Sequence, residues 1–118
     1  MSREVKIENL FIIGYGLGGG FGGANIFEVH ECQDEEDAVN LAYQNCCEYY
    51  EGYDGMYGLR DVSMIIEEDE VDEEEAIEIW KNGREMWLEY SAEPYSKELE
   101  EKYQYHHWQN DYEHITNQ

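Results

Sequence analysis

The chain has 118 residues, with seven Lys and Arg against 29 Asp and Glu, a formal net charge of −22. That balance excludes direct binding to nucleic-acid phosphates, which needs a basic surface, and it opposes attraction to anionic lipid. Hydrophobic residues make up 42% and aromatic residues 14%, with a single Pro, so the composition is that of a packed chain and not of a disordered polyanion.

At this length one acidic domain spanning residues 1–118 is expected. No apolar run approaches the ~18 residues of a membrane span. Met1 to Glu8 lacks the apolar stretch behind a basic start that marks a signal peptide. Cys32, Cys46 and Cys47 are an odd count with one adjacent pair, which is no disulfide framework and fits a reducing cytoplasm.

In chain order, residues 5–13 (VKIENLFII) are rich in β-branched and aromatic types and predict a strand. Gly14 to Ala24 holds seven glycines in eleven positions. Asn25 to Cys32 alternates, with Ile26, Glu28, His30 and Cys32 on one face and Phe27, Val29 and Glu31 on the other, a second strand. The simplest pairing is an antiparallel hairpin with a glycine-rich tip. Asp34 is an expected N-cap for a helix to Tyr50, burying Ala38, Leu41, Ala42, Cys46 and Tyr49.

Glu51 to Gly58 predicts a loop, and Asp61 a cap for a short helix over Val62 to Glu68. Asp72 with Glu75 has capping-box spacing and predicts a helix to about Tyr90, with Ala76, Trp80, Gly83, Trp87 and Tyr90 as its apolar seam. Pro94 ends that segment, and Ser96 caps a last helix through about Asp111, with Leu99, Tyr103 and His106 or His107 inward. The fold class expected is α+β: an N-terminal antiparallel hairpin packed on three to four helices.

Gly14, Gly16 and Gly19 match GxGxxG after a strand. A dinucleotide fingerprint must open a helix, whereas Phe21 to Val29 reads as loop and strand, and no GKS or GKT follows. Hairpin structure explains the glycines best. A partner-contacting loop with Leu17 and Phe21 as contacts is the alternative, ahead of nucleotide binding. The histidines and cysteines show no CxxC or HxxxH spacing, so no metal and no cofactor are expected, and no catalytic residues are assigned.

The segment EEDEVDEEEAIE carries nine carboxylates in twelve positions: Glu67, Glu68, Asp69, Glu70, Asp72, Glu73, Glu74, Glu75 and Glu78. Val71 and the missing Gly rule out a good EF-hand, although loose divalent binding by the block is left open. Acids favour a helix start, which accounts for part of the block. Glu74, Glu78, Glu85 and Glu89 are expected to share one face of the helix from Asp72. Four helical residues span ~6 Å, close to the ~6.8 Å between alternate phosphates of one DNA strand. Solubility needs a net charge of only ~2–8, so the excess points to a basic partner.

The run GGGFGGANIFEVHECQDEEDA, followed by YEGYDGMYGLRDV and DEEEAIEIW, resembles small acidic proteins of unknown function encoded by bacterial viruses, over about two thirds of the chain. By charge and size the chain also resembles phage DNA mimics that block restriction or CRISPR nucleases. That resemblance implies a non-enzymatic inhibitor in the host cytoplasm. It would occupy the basic nucleic-acid-binding surface of a host defence protein; the expected contacts, chosen as the densest negative patch, are Glu67, Glu68, Asp69, Glu70, Asp72, Glu73, Glu74 and Glu78. A binding module whose glycine-rich loop and aromatics hold a specific protein or small ligand is the alternative, and pairing into a homodimer is left open.

Overall fold

The computed structural model describes the backbone of residues 4–110 and 114–116 and the side chains of residues 7–110. The fold is α+β. Two strands form the hairpin: β2 (Leu10–Leu17) and β3 (Gly23–Glu31), preceded by the short β1 (Glu4–Lys6) and a 3₁₀ turn at Ile7–Asn9. Then come α1 (Glu35–Glu51), α2 (Val62–Asp69), α3 (Glu73–Trp87), β4 (Leu88–Pro94), α4 (Lys97–Tyr103), β5 (His107–Gln109) and β6 (His114–Thr116). The main sheet has the order β4-β2-β3-β5, and β1 pairs with β6 in a separate parallel ladder.

The predicted hairpin is present, but its glycines are used differently. Gly14 and Gly16 lie inside β2, and the tip shrinks to residues 18–22 around a 3₁₀ turn. The reason is close approach. A Cβ on Gly14 would sit 2.6 Å from Cε1 of Phe27, and one on Gly16 would sit 2.2 Å from the Gly23 carbonyl oxygen, at the register shift after Tyr15. No α-helix opens at the glycines, which lead directly into β3, so the GxGxxG spacing serves a bulged hairpin.

Two predicted helices end early. The helix from Asp72 stops at Trp87, and Leu88 to Pro94 pairs antiparallel with β2. The last helix stops at Tyr103, and His107 to Gln109 adds to β3 in parallel. The expected end at Asp111 lies outside the described residues. The sheet therefore has four strands where two were expected, because both flanks of the hairpin offered unpaired backbone groups. One of His106 and His107 was expected inward, and both are exposed.

The helix starts follow local rules. Asp34, Asp61, Asp72 and Ser96 each accept a hydrogen bond from the backbone N–H three residues on, at 2.8–3.1 Å. One face of the sheet presents Phe11 and Ile13 to Ala38 and Ala42 of α1, with Cys32 completing the cluster. Small residues on α1 bring it close, and the Cys46 thiol donates to the Gly16 carbonyl at 3.2 Å. The opposite face packs Leu10, Ile12, Phe27 and Val29 with Tyr95, beneath Leu99 and Tyr103 of α4 and Trp108 of β5. A third cluster, Leu17, Tyr50 and Leu59 with Trp80 and Trp87, joins the tip end of the sheet to α3.

Candidate functional site

Three surfaces carry chemistry: the acidic helices, the aromatic tip, and a groove beside α1. α2 and α3 pack chiefly on each other, with Ile65 and Ala76 buried. The chain reverses between them at Glu70, which adopts a left-handed backbone at φ 54°. Glu67, Glu68, Asp69 and Glu70 end one helix, Asp72 caps the next, and Glu73 and Glu74 occupy its first turn, where the helix dipole favours negative charge. All these residues, with Glu75 and Glu78, are exposed. The turn thus brings the predicted block together on one helical hairpin.

The block is not wholly free of cations. The Arg60 guanidinium donates to both carboxylate oxygens of Asp69, at 2.9 and 3.3 Å, and lies 3.8 Å from Glu68. The expected row Glu74, Glu78, Glu85 and Glu89 is also broken. Lys81 is exposed on that same helical face, Glu85 is bound to the Tyr43 hydroxyl and Arg84, and Glu89 belongs to β4 beside Gly18 and Gly23. The helical period holds for Glu74, Glu78 and Glu85, all exposed on α3, and fails for Glu89, where the helix has ended.

At the tip, Leu17 is fully buried, so it belongs to the core and offers no contact to a partner. Its side chain follows the α1 face of β2 into the third cluster. Phe21 is half-buried, with ring centroids 5.7 Å from Trp87, 5.8 Å from Tyr53 and 6.2 Å from Tyr57. Gly20, Phe21, Tyr53 and Tyr57 line an open pocket of about 480 Å³. Tyr57 is 76% exposed and Met56 46%, an apolar patch beside the C-terminal end of α3. Trp80 and Trp87 face inward as expected, and the Trp80 indole donates to Asp54 at 2.8 Å, fixing the loop after α1.

The groove was not foreseen as a site. α1 lies over β2 and β4 and leaves the same face of β3 and β5 partly uncovered. Tyr15, Ile26 and Glu28 project there, next to His107 and Gln109, which register with Ile26 and Glu28. Glu28 is the centre. Its Oε2 accepts from the Tyr15 hydroxyl at 2.5 Å, while Oε1 lies 2.8 Å from His30 Nε2 and 3.3 Å from the Asn45 amide. The His30 hydrogen bond, with those of Tyr15 and Asn45, holds the Glu28 carboxyl below its ordinary value against the opposing effect of burial. Burial and the Glu28 hydrogen bond push the Tyr15 phenol well up. The sequence signal was the pair Glu28 and His30 on one strand face; their partners come from β2 and α1, and spacing cannot show that.

Cys46 and Cys32 are buried thiols raised by burial, which suits packing more than nucleophilic chemistry. Among the described residues no three His, Cys, Asp or Glu side chains group to hold a metal ion, and no helix is long and apolar enough to cross a membrane. Comparison with known proteins gives no match: no family model, no curated protein and no solved structure is similar to the chain.

Proposed function

We propose that the chain is a non-enzymatic acidic inhibitor, a DNA mimic that lays its α2–α3 hairpin into the basic nucleic-acid-binding surface of a bacterial defence protein, within the host cytoplasm. The observation that carries this reading is the exposure of every carboxylate from Glu67 to Glu78 on one helical hairpin, with Arg60 pairing only its Glu68 and Asp69 end. Carboxylates so displayed steer a basic surface into contact and repel acidic ones.

A second reading rests on the tip. Phe21, Tyr53 and the exposed Tyr57 around the pocket, with exposed Met56 next to Tyr57 in the chain, have the aromatic character of a protein-contact centre.

The test is capture from nuclease-treated bacterial lysate on the immobilised chain, followed by elution with duplex DNA. Captured proteins should be DNA-binding and should elute with DNA. The variant Glu70→Lys/Glu74→Lys/Glu78→Lys should lose capture, most steeply at low salt, while Phe21→Ala keeps it. If the triple variant folds and captures as well as the parent while Phe21→Ala fails, the tip is the working surface and the mimic reading is wrong.

A further inference from the structure

The groove beside α1 combines features that select one ligand class. It consists of two adjoining hollows of about 370 Å³ each, which share Tyr15, Glu28 and Tyr49. Its wall is a row of three tyrosines. Tyr15 and Tyr49 meet at 70° with centroids 6.0 Å apart, and Tyr49 and Tyr53 at 66° and 5.2 Å. Each pair is in edge-to-face contact, so the three rings form one continuous aromatic wall of the hollows. The Glu28 side chain, only 13% exposed, forms the floor. Exposed Glu48 stands at the rim on α1, and among the described residues no Lys or Arg lines either hollow.

We propose that this groove binds a small organic cation, an ammonium or guanidinium compound, with its charge toward Glu28 and its substituents against Tyr15, Tyr49 and Tyr53. An anion would meet two carboxylates and, among the described residues, no Lys or Arg to offset them. A bare metal ion is disfavoured because three donors already engage the Glu28 oxygens, leaving its charge but little coordinating capacity. A weakly hydrated organic cation needs only the charge and the ring faces. The volume fits a small molecule. The Tyr49–Tyr53 hydroxyl contact at 3.5 Å and the Tyr15–Glu28 hydrogen bond hold the rings before any ligand arrives, which lowers the ordering cost of binding. This site stands apart from the acidic hairpin and does not depend on the mimic reading.

The test uses ethylguanidinium chloride and tetramethylammonium chloride at ~150 mM NaCl, where screening suppresses diffuse attraction to the acidic surface. N-ethylurea serves as the neutral counterpart of ethylguanidinium. Binding is followed by ¹H–¹⁵N NMR of the intact chain. Saturable shifts are expected at Tyr15, Glu28, Tyr49 and the Asn45 side-chain amide with both cations, and none with N-ethylurea. Glu48→Gln, a surface change that leaves the fold intact, should weaken binding about threefold, and Tyr49→Leu about tenfold, while Tyr49→Phe keeps it. Glu74→Gln/Glu78→Gln should leave it unchanged. Absence of saturable groove shifts, equal response to N-ethylurea, or binding lost in Glu74→Gln/Glu78→Gln but kept in Glu48→Gln would each overturn the proposal.

Discussion

The ring of Phe27 lies against Gly14 of the neighbouring strand and stacks on Tyr103, with centroids 4.0 Å apart and planes 12° from parallel. Three elements, β2, β3 and α4, thus meet through one aromatic ring that only a missing Cβ admits. Gly14→Ala should push Phe27 off that stack and cost about 1–3 kcal/mol, the range for overpacking a filled core. Urea unfolding should show a lower midpoint with an unchanged slope. The parent midpoint in the variant would mean that the ring shifts at no cost.

Gly83 on α3 is the opposite case. A Cβ there meets nothing within 4 Å, and the residue borders a hollow of about 170 Å³ between α3, Leu59 and Ile65. Gly83→Ala should therefore stabilise the chain by about 0.5–1 kcal/mol through helix propensity alone. Thermal unfolding should report a rise of a few degrees.

Glu28 sets an acid limit on stability. Its carboxyl is held below the ordinary value of 4.5 by His30, Tyr15 and Asn45. A depressed folded value means that the unfolded chain binds more protons on acidification, so the Glu28 contribution is full above about 4.5 and is lost as pH falls through the lowered value. The parent should thus lose more stability than Glu28→Gln between pH 5 and the acid midpoint. Melting curves across that range for both proteins are the check, and parallel curves would mean that Glu28 contributes nothing.

At the alkaline end, hydrogen bonding to Tyr53 together with burial pushes the Tyr49 phenol up to about 12. A folded value above the unfolded one gives stability that is full below about pH 10 and lost as pH rises toward 12. Phenolate absorbance should show a late-titrating fraction in the folded chain, reduced in Tyr49→Phe and absent in urea.

Exposed cations among the described residues are Lys81, Lys97 and Lys102, against exposed acids on every helix. Repulsion among those acids should be screened by salt. The melting midpoint should rise between low salt and ~150 mM NaCl, and more for the parent than for Glu70→Lys/Glu74→Lys/Glu78→Lys. A flat response would show that local pairing, such as that of Arg60 with Asp69, already balances the charge.

Much of the helical framework was legible because helix starts are local events. Asp34, Asp61, Asp72 and Ser96 need only the amide three residues ahead to act as caps, and all four do so. The hairpin was legible from the alternation of Phe27 and Val29 against Glu28 and His30. The acidic display at Glu67 to Glu78 followed from composition, since nine carboxylates in twelve residues can scarcely be buried. Helix ends and side-chain groupings were different. Leu88 to Pro94 and His107 to Gln109 leave the helical period because β2 and β3 present unpaired backbone to them, a partner that exists only once the hairpin has formed. The same holds for Leu17, which looked like part of an exposed tip until α1 and α3 closed over it. Tyr15, Glu28, Asn45 and Tyr49 come from three elements, and only the angle at which α1 crosses the sheet brings them around one groove.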